Sequence, residues 1–284
     1  MTEPLVKSIS TSGLTTALQP IANPKGQGQG LGLRGEAVVT VRDHRGRVKG
    51  QQTINNSLTD EVRVNLMKKI TDGDAYPEIL VPVRIICLLS NMYWTSMEMV
   101  GTNHSTSGVV NNQVTTEFSI SGSKPLGTFD GSASISTVYL LSNSSQIGSA
   151  TGDEIDPNVQ IDDNDTIDVT YKIILSRSPD VSDDLMVRLG DILRGVDQNV
   201  TISRASLYNG ATHLQQTAFT LQWGGTSSSA NIRFNTITSL PDIATFYIYE
   251  GSGITTKVYS EAITVDGWGS GDNVIVPFSI SLTA

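Results

Sequence analysis

Leu58–Gly73 reads LTDEVRVNLMKKITDG, and Val181–Gly195 reads VSDDLMVRLGDILRG. Apolar residues fall at Leu58, Val62, Leu66 and Ile70 in the first stretch and at Val181, Leu185, Leu189 and Leu193 in the second. A spacing of every fourth position lines one face of a helix. Thr59 or Asp60 suits the start of the first helix and Gly73 its end, and Ser182, Asp183 and Asp184 repeat the cap chemistry at the second. Every member of one stripe is displaced from its counterpart by the same offset, so the two helices read as copies.

The segments downstream of each helix strengthen that reading. Pro82–Ser90, PVRIICLLS, and Val200–Tyr208, VTISRASLY, are strand-like and rich in β-branched residues. TEFSI at Thr116–Ile120 corresponds loosely to IRFNTI at Ile232–Ile237, and TVYLLS at Thr137–Ser142 to TFYIYE at Thr245–Glu250. The closing strands agree best. Ile167, Val169, Tyr171, Ile173 and Leu175 alternate, as do Val274, Val276, Phe278, Ile280 and Leu282, which predicts one buried and one solvated face. The sequence therefore predicts a mainly β protein: two tandem antiparallel β-sandwich domains, each with one short packed helix and its own core. A repeat of this size is a domain duplication rather than a solenoid, whose units run about 20–50 residues.

The 284 residues suit two ordinary domains. A formal net charge of −9 argues against a general nucleic-acid binder, which needs a basic face. The single cysteine, Cys87, rules out an internal disulfide and reads as a small buried hydrophobe. No apolar stretch approaches the roughly 18 residues of a membrane span. MTEPLVKSIS lacks the order of a secretory signal, so synthesis in a cytoplasm without export by that route is expected.

Residues 1–34 read as an extended arm and Gly-rich linker, 35–178 as the first β-domain and 179–284 as the second. In the arm, Leu5, Ile9, Leu14, Leu18 and Ile21 are too apolar for a solvated tail, which predicts ordering on a neighbouring subunit or partner. Lys25–Gly35 has linker composition, and its glycines miss the GxGxxG spacing of a phosphate loop. Gly35–Asn55 reads as a hairpin with His44, Arg45 and Gly46 at its turn. Its Arg42, Arg45 and Arg47 make it the most basic part of the chain, either a solvated tip or a docking element for an acidic protein surface. Met92–Gly101 is rich in methionine and suits either core packing or an adaptable contact. The acidic run within Gly148–Asp165 lacks the residue order of an EF-hand, so a solvated loop is expected there rather than a Ca²⁺ site. Trp268, among glycines at Asp266–Asp272, is either an exposed contact residue or a lid, and joins the arm and the three arginines as a partner-binding candidate.

His44, His104 and His213 have no ligand-spaced neighbours, and no HExxH, CxxC, GxSxG or Walker loop is present. Neither catalytic nor metal-binding residues nor a cofactor are expected, so the chain reads as non-enzymatic.

The order of features resembles virion structural proteins of tailed bacteriophages and related viruses. The resemblance rests on the valine-rich hairpin ending in D-x-x-G within Gly35–Gly46, the N-x-x-T lead of Asn56–Thr59 into a helix, and the closing strand Asp165–Leu175. The second copy lacks the hairpin but keeps the helix and the DNVIVPFSISL ending. It implies jelly-roll-like units and a capsid-decoration or head/tail accessory role. Other virion proteins and further copies of the chain would be the partners, without nucleic acid or membrane, and the location would be the virion after synthesis in a host cytoplasm. A glycan-binding fibre or adhesin module, using Trp268, Tyr259 and Tyr249, is the alternative.

Overall fold

The computed structural model describes residues 6–8, 30–72, 84–89, 94–98, 104–123, 135–141, 146–151, 161–162, 164–196, 200–235, 243–251, 256–264 and 273–283. The protein is mainly β, with two helices among the described residues. A short β1 (Val6–Ser8) precedes the hairpin β2 (Leu31–Arg42) and β3 (Val48–Leu58). Then come α1 (Asp60–Asp72), β4 (Arg84–Leu89), β5 (Trp94–Glu98), β6 (His104–Thr106), β7 (Gln113–Ser123), β8 (Ile135–Leu141), β9 (Gln146–Thr151) and β10 (Thr166–Ser176). The second run is α2 (Asp183–Leu193), β11 (Ile202–Asn209), β12 (Thr212–Ala218), β13 (Gln222–Trp223), β14 (Ser227–Phe234), β15 (Ile243–Glu250), β16 (Thr256–Thr264) and β17 (Asn273–Thr283).

The two runs share one strand order. The first pairs β5-β4-β8-β9 and β6-β7-β10; the second pairs β12-β11-β15-β16 and β13-β14-β17, all antiparallel. Smaller features repeat as well. The register slips between Leu140 and Leu141 in β8 and between Ile248 and Tyr249 in β15, the same place in the TVYLLS and TFYIYE segments. Leu58 pairs with Gly148 just before α1, and Val181 bridges Tyr259 just before α2. The registers correct one expected match. Thr116 lies opposite Ile173 and Ser228 opposite Ile280, so Thr116 corresponds to Ser228 and not to Ile232.

Both helix stripes are buried: Leu58, Val62, Leu66 and Ile70 at 6, 2, 0 and 0% exposure, and Val181, Leu185, Leu189 and Leu193 at 1, 2, 0 and 0%. Each such side chain contributes on the order of 1.5–3 kcal/mol by leaving water. Ser182 caps α2, its Oγ accepting from the Leu185 N–H at 3.2 Å. Gly195, at φ +73°, ends it in a left-handed turn.

The helices are exchanged between the two runs. α1 packs on β13, β14 and β17, whereas α2 packs on β6 and β7 as well as on its own β16. Gly190 of α2 accepts a hydrogen bond from the buried Thr116 Oγ1 at 3.3 Å. At the matching place, the Thr71 hydroxyl of α1 lies 2.6 Å from that of Ser228, and both are buried. A bare helix face is required at Gly190, where a Cβ would come within 2.7 Å of the Thr106 methyl. The expectation of a separate core in each copy therefore fails: residues of both runs form one continuous hydrophobic cluster.

The hairpin distinguishes the runs. β2 pairs with β10, and β3 with β9, so the first run curls into a nearly continuous sheet. The expected Lys25–Gly35 linker ends sooner than its glycine content predicts. Leu31 and Leu33 alternate with Gly30 and Gly32 as a strand does, and they are buried at 0 and 2%. A Cβ at Gly32 would meet Ser176 Oγ, so a larger residue there would require that hydroxyl to turn aside.

Candidate interaction surfaces

β1 lies parallel to the start of β17, Val6 opposite Asn273 and Ser8 opposite Ile275, in the same chain. The start of β2 lies parallel to the end of β17, Leu31 opposite Leu282. The Leu282 N–H donates to Thr226 O at 2.9 Å, on the β14 side. Backbone groups alternate in direction along a strand, so those of Ile275, Pro277, Ser279 and Ser281 face the other edge. Between β1 and β2 that edge carries no strand among the described residues. Of the partner-binding candidates, Leu5, Ile9, Leu14, Leu18, Ile21 and Trp268 lie outside the described residues.

The basic hairpin tip is largely neutralised by the chain itself. Arg42 Nε donates to Asp168 Oδ2 at 2.7 Å, and Arg47 pairs with Asp43 at 2.7 Å. Asp43 also accepts the backbone N–H groups of Arg47 and Arg45, each at 2.9 Å. These bonds, led by the Arg47 N–H, hold its carboxyl down at about 2. Arg45 Nε reaches His44 Nε2 at 3.3 Å. Arg42 and Arg47 thus brace the hairpin, and Arg45 is the cation left facing outward.

Within the acidic run, the Lys49 ammonium bridges Asp162 at 2.9 Å and Asp165 at 2.5 Å. Burial opposes its charge, but the two carboxylates outweigh that and raise its pKa. The lysine stands where a cation would have to sit between these two residues. No group of three or more His, Cys, Asp or Glu side chains that could hold a metal occurs among the described residues. Asp153, Glu154, Asp156 and Asp163 lie outside them.

Two of the aromatic residues expected to serve glycan contact are enclosed by the fold. Tyr249 and Tyr259 are 3 and 2% exposed, and the Tyr259 hydroxyl donates to Glu261 Oε2 at 2.7 Å. A more suitable recess lies elsewhere. A groove of about 600 Å³ opens between the segment after β12 and the outer face of β14 and β17. Its polar side chains include Thr220 and Gln222 from the segment, Asn231, Arg233 and Asn235 from β14 and its end, and Ser279 from β17. The alternation Ser229-x-Asn231-x-Arg233-x-Asn235 puts these groups on one strand face, and it is the sequence signal by which the groove could have been found. Phe219, edge-on to Phe278 at 6.3 Å, and Pro277 add apolar surface.

No protein-family model, no curated protein and no solved structure matches the chain.

Proposed function

We propose that this chain is a non-enzymatic virion structural protein, a capsid-decoration or head/tail accessory component. It assembles through contacts with further copies of itself and with other virion proteins. Residues 35–178 and 179–284 are then tandem jelly-roll-like sandwiches, and the residues that precede β2 an extended arm. One observation carries the reading: the helices of two topologically matching runs are exchanged, α1 onto β14 and α2 onto β7. That exchange locks two similar surfaces in a fixed relation, which suits a protein bridging two similar environments where symmetries mismatch.

Immunogold imaging of purified virus particles with antibody to this chain tests the proposal. Label spread over capsids or along tails is expected. Absence of label from every particle overturns it, and label confined to distal fibre tips together with glycan binding favours the adhesin.

A further inference from the structure

We infer that the groove between the segment Thr217–Gln222 and the strands β14 and β17 is a binding site for an acidic oligosaccharide. Its volume, about 600 Å³, falls in the range of roughly 300–1,000 Å³ typical of small-ligand sites. The charge pattern is specific. The chain carries a net charge of −9, yet among the described residues no carboxylate lines the groove, and Arg233 is the one charged residue of these that does. Arg233 is exposed and makes no ion pair among the described residues. A guanidinium in that setting offers a planar fork to a carboxylate.

The other polar groups are amides and hydroxyls. Gln222, Asn231 and Asn235 each both donate and accept, as neighbouring sugar hydroxyls require. Phe219 and Pro277 supply an apolar patch for the C–H face of a sugar ring. A peptide is the poorer fit. An extended peptide seeks a ladder of backbone donors and acceptors, whereas this groove presents side chains, and Pro277 has no N–H to give.

The site stands independently of the virion reading. Calorimetric titration of the full chain with two probes, a galacturonic acid trisaccharide and sialyllactose, tests it against lactose and sodium sulfate. At least one acidic saccharide is expected to bind at least tenfold more tightly than lactose. Arg233→Ala should weaken that binding at least tenfold and Asn231→Ala severalfold, both with unchanged melting temperature. Failure of both acidic saccharides to bind overturns the inference. So does equal binding of sulfate, which would make the groove a simple anion site. Equal binding of lactose, or an Arg233→Ala protein that binds as the parent does, also overturns it. Particle labelling is unaffected by any of these results, so failure here leaves the assembly proposal standing.

Discussion

Thr170 and Pro277 occupy matching positions in the two closing strands, and they differ where the strands' neighbours differ. Thr170 lies opposite Val38 of β2, which runs beside β10 along its whole length. Pro277 turns the same backbone side toward an edge with no paired strand among the described residues between β1 and β2. A residue without an N–H cannot donate to a strand on that side, so where the first run pairs β10 with its hairpin the second run carries a residue that gives no such bond.

Pro277→Thr restores that donor in a strand-favouring residue. The variant should self-associate more than the parent as concentration rises, measured by light scattering after size exclusion. Pro277→Lys should not, since a lysine on the edge repels a second copy. Unchanged mass for Pro277→Thr at every concentration would show that the proline has no protective role.

Helix exchange makes the two runs one cooperative unit. Leu66 is fully buried in α1, and Leu66→Ala should cost about 2–5 kcal/mol. The chain should still unfold in one transition, and amide exchange should speed up in β14 and β17, against which α1 packs, as much as in the first run. Protection lost only in residues 31–176 would mean the contact across the runs is weak.

The stripes of α1 and α2 and the alternation of β10 and β17 were legible because burial imposes a period on the sequence. The exchange was not, because periodicity tells which helix face is buried and not what covers it. The match of Thr116 with Ser228 was hidden for a related reason. The buried face of β14 begins with Ser228 and Ala230, small residues that leave no hydrophobic pattern, so Ile232 drew the alignment four residues too far. One wall of the groove was legible in the alternation of β14, but the groove was not, because its other wall, the segment after β12, is brought beside that face only by the fold. The arginines of the hairpin tip were legible as a cluster, but Asp168, which answers Arg42, is 126 residues away.

Lys49 holds the buried Asp165 and the more exposed Asp162 together. Asp165 is 3% exposed, so Lys49→Met leaves its carboxylate unpaired. Breaking a fully buried pair costs about 3–5 kcal/mol, and the partial exposure of Lys49 reduces that to roughly 1–3 kcal/mol here. The raised pKa of Lys49 means its contribution is complete below the ordinary lysine range and lost as pH rises through the folded value. Denaturant unfolding should therefore show the parent and Lys49→Met converging at strongly alkaline pH. An equal gap at neutral and alkaline pH would assign the loss to packing of the lysine stem instead.

Glu261 supplies the last prediction. It is half-buried beside the Tyr259 hydroxyl, and burial first, then the nearby Asp180, raises its pKa, against the lowering effect of the Tyr259 hydrogen bond. The folded protein thus holds this proton more tightly than the unfolded chain. The resulting stability is fully present below the ordinary carboxylate value, about 4.3, and is lost as pH rises through the raised one. Glu261→Gln keeps an acceptor for Tyr259 and removes the charge. At pH 7 it should melt roughly 1–3 °C above the parent, since 1 kcal/mol moves a domain of this size by about 2 °C. The difference should shrink as pH falls toward 4. A variant no more stable than the parent at pH 7, or a gap that persists on acidification, would show that the carboxylate is not strained in the fold.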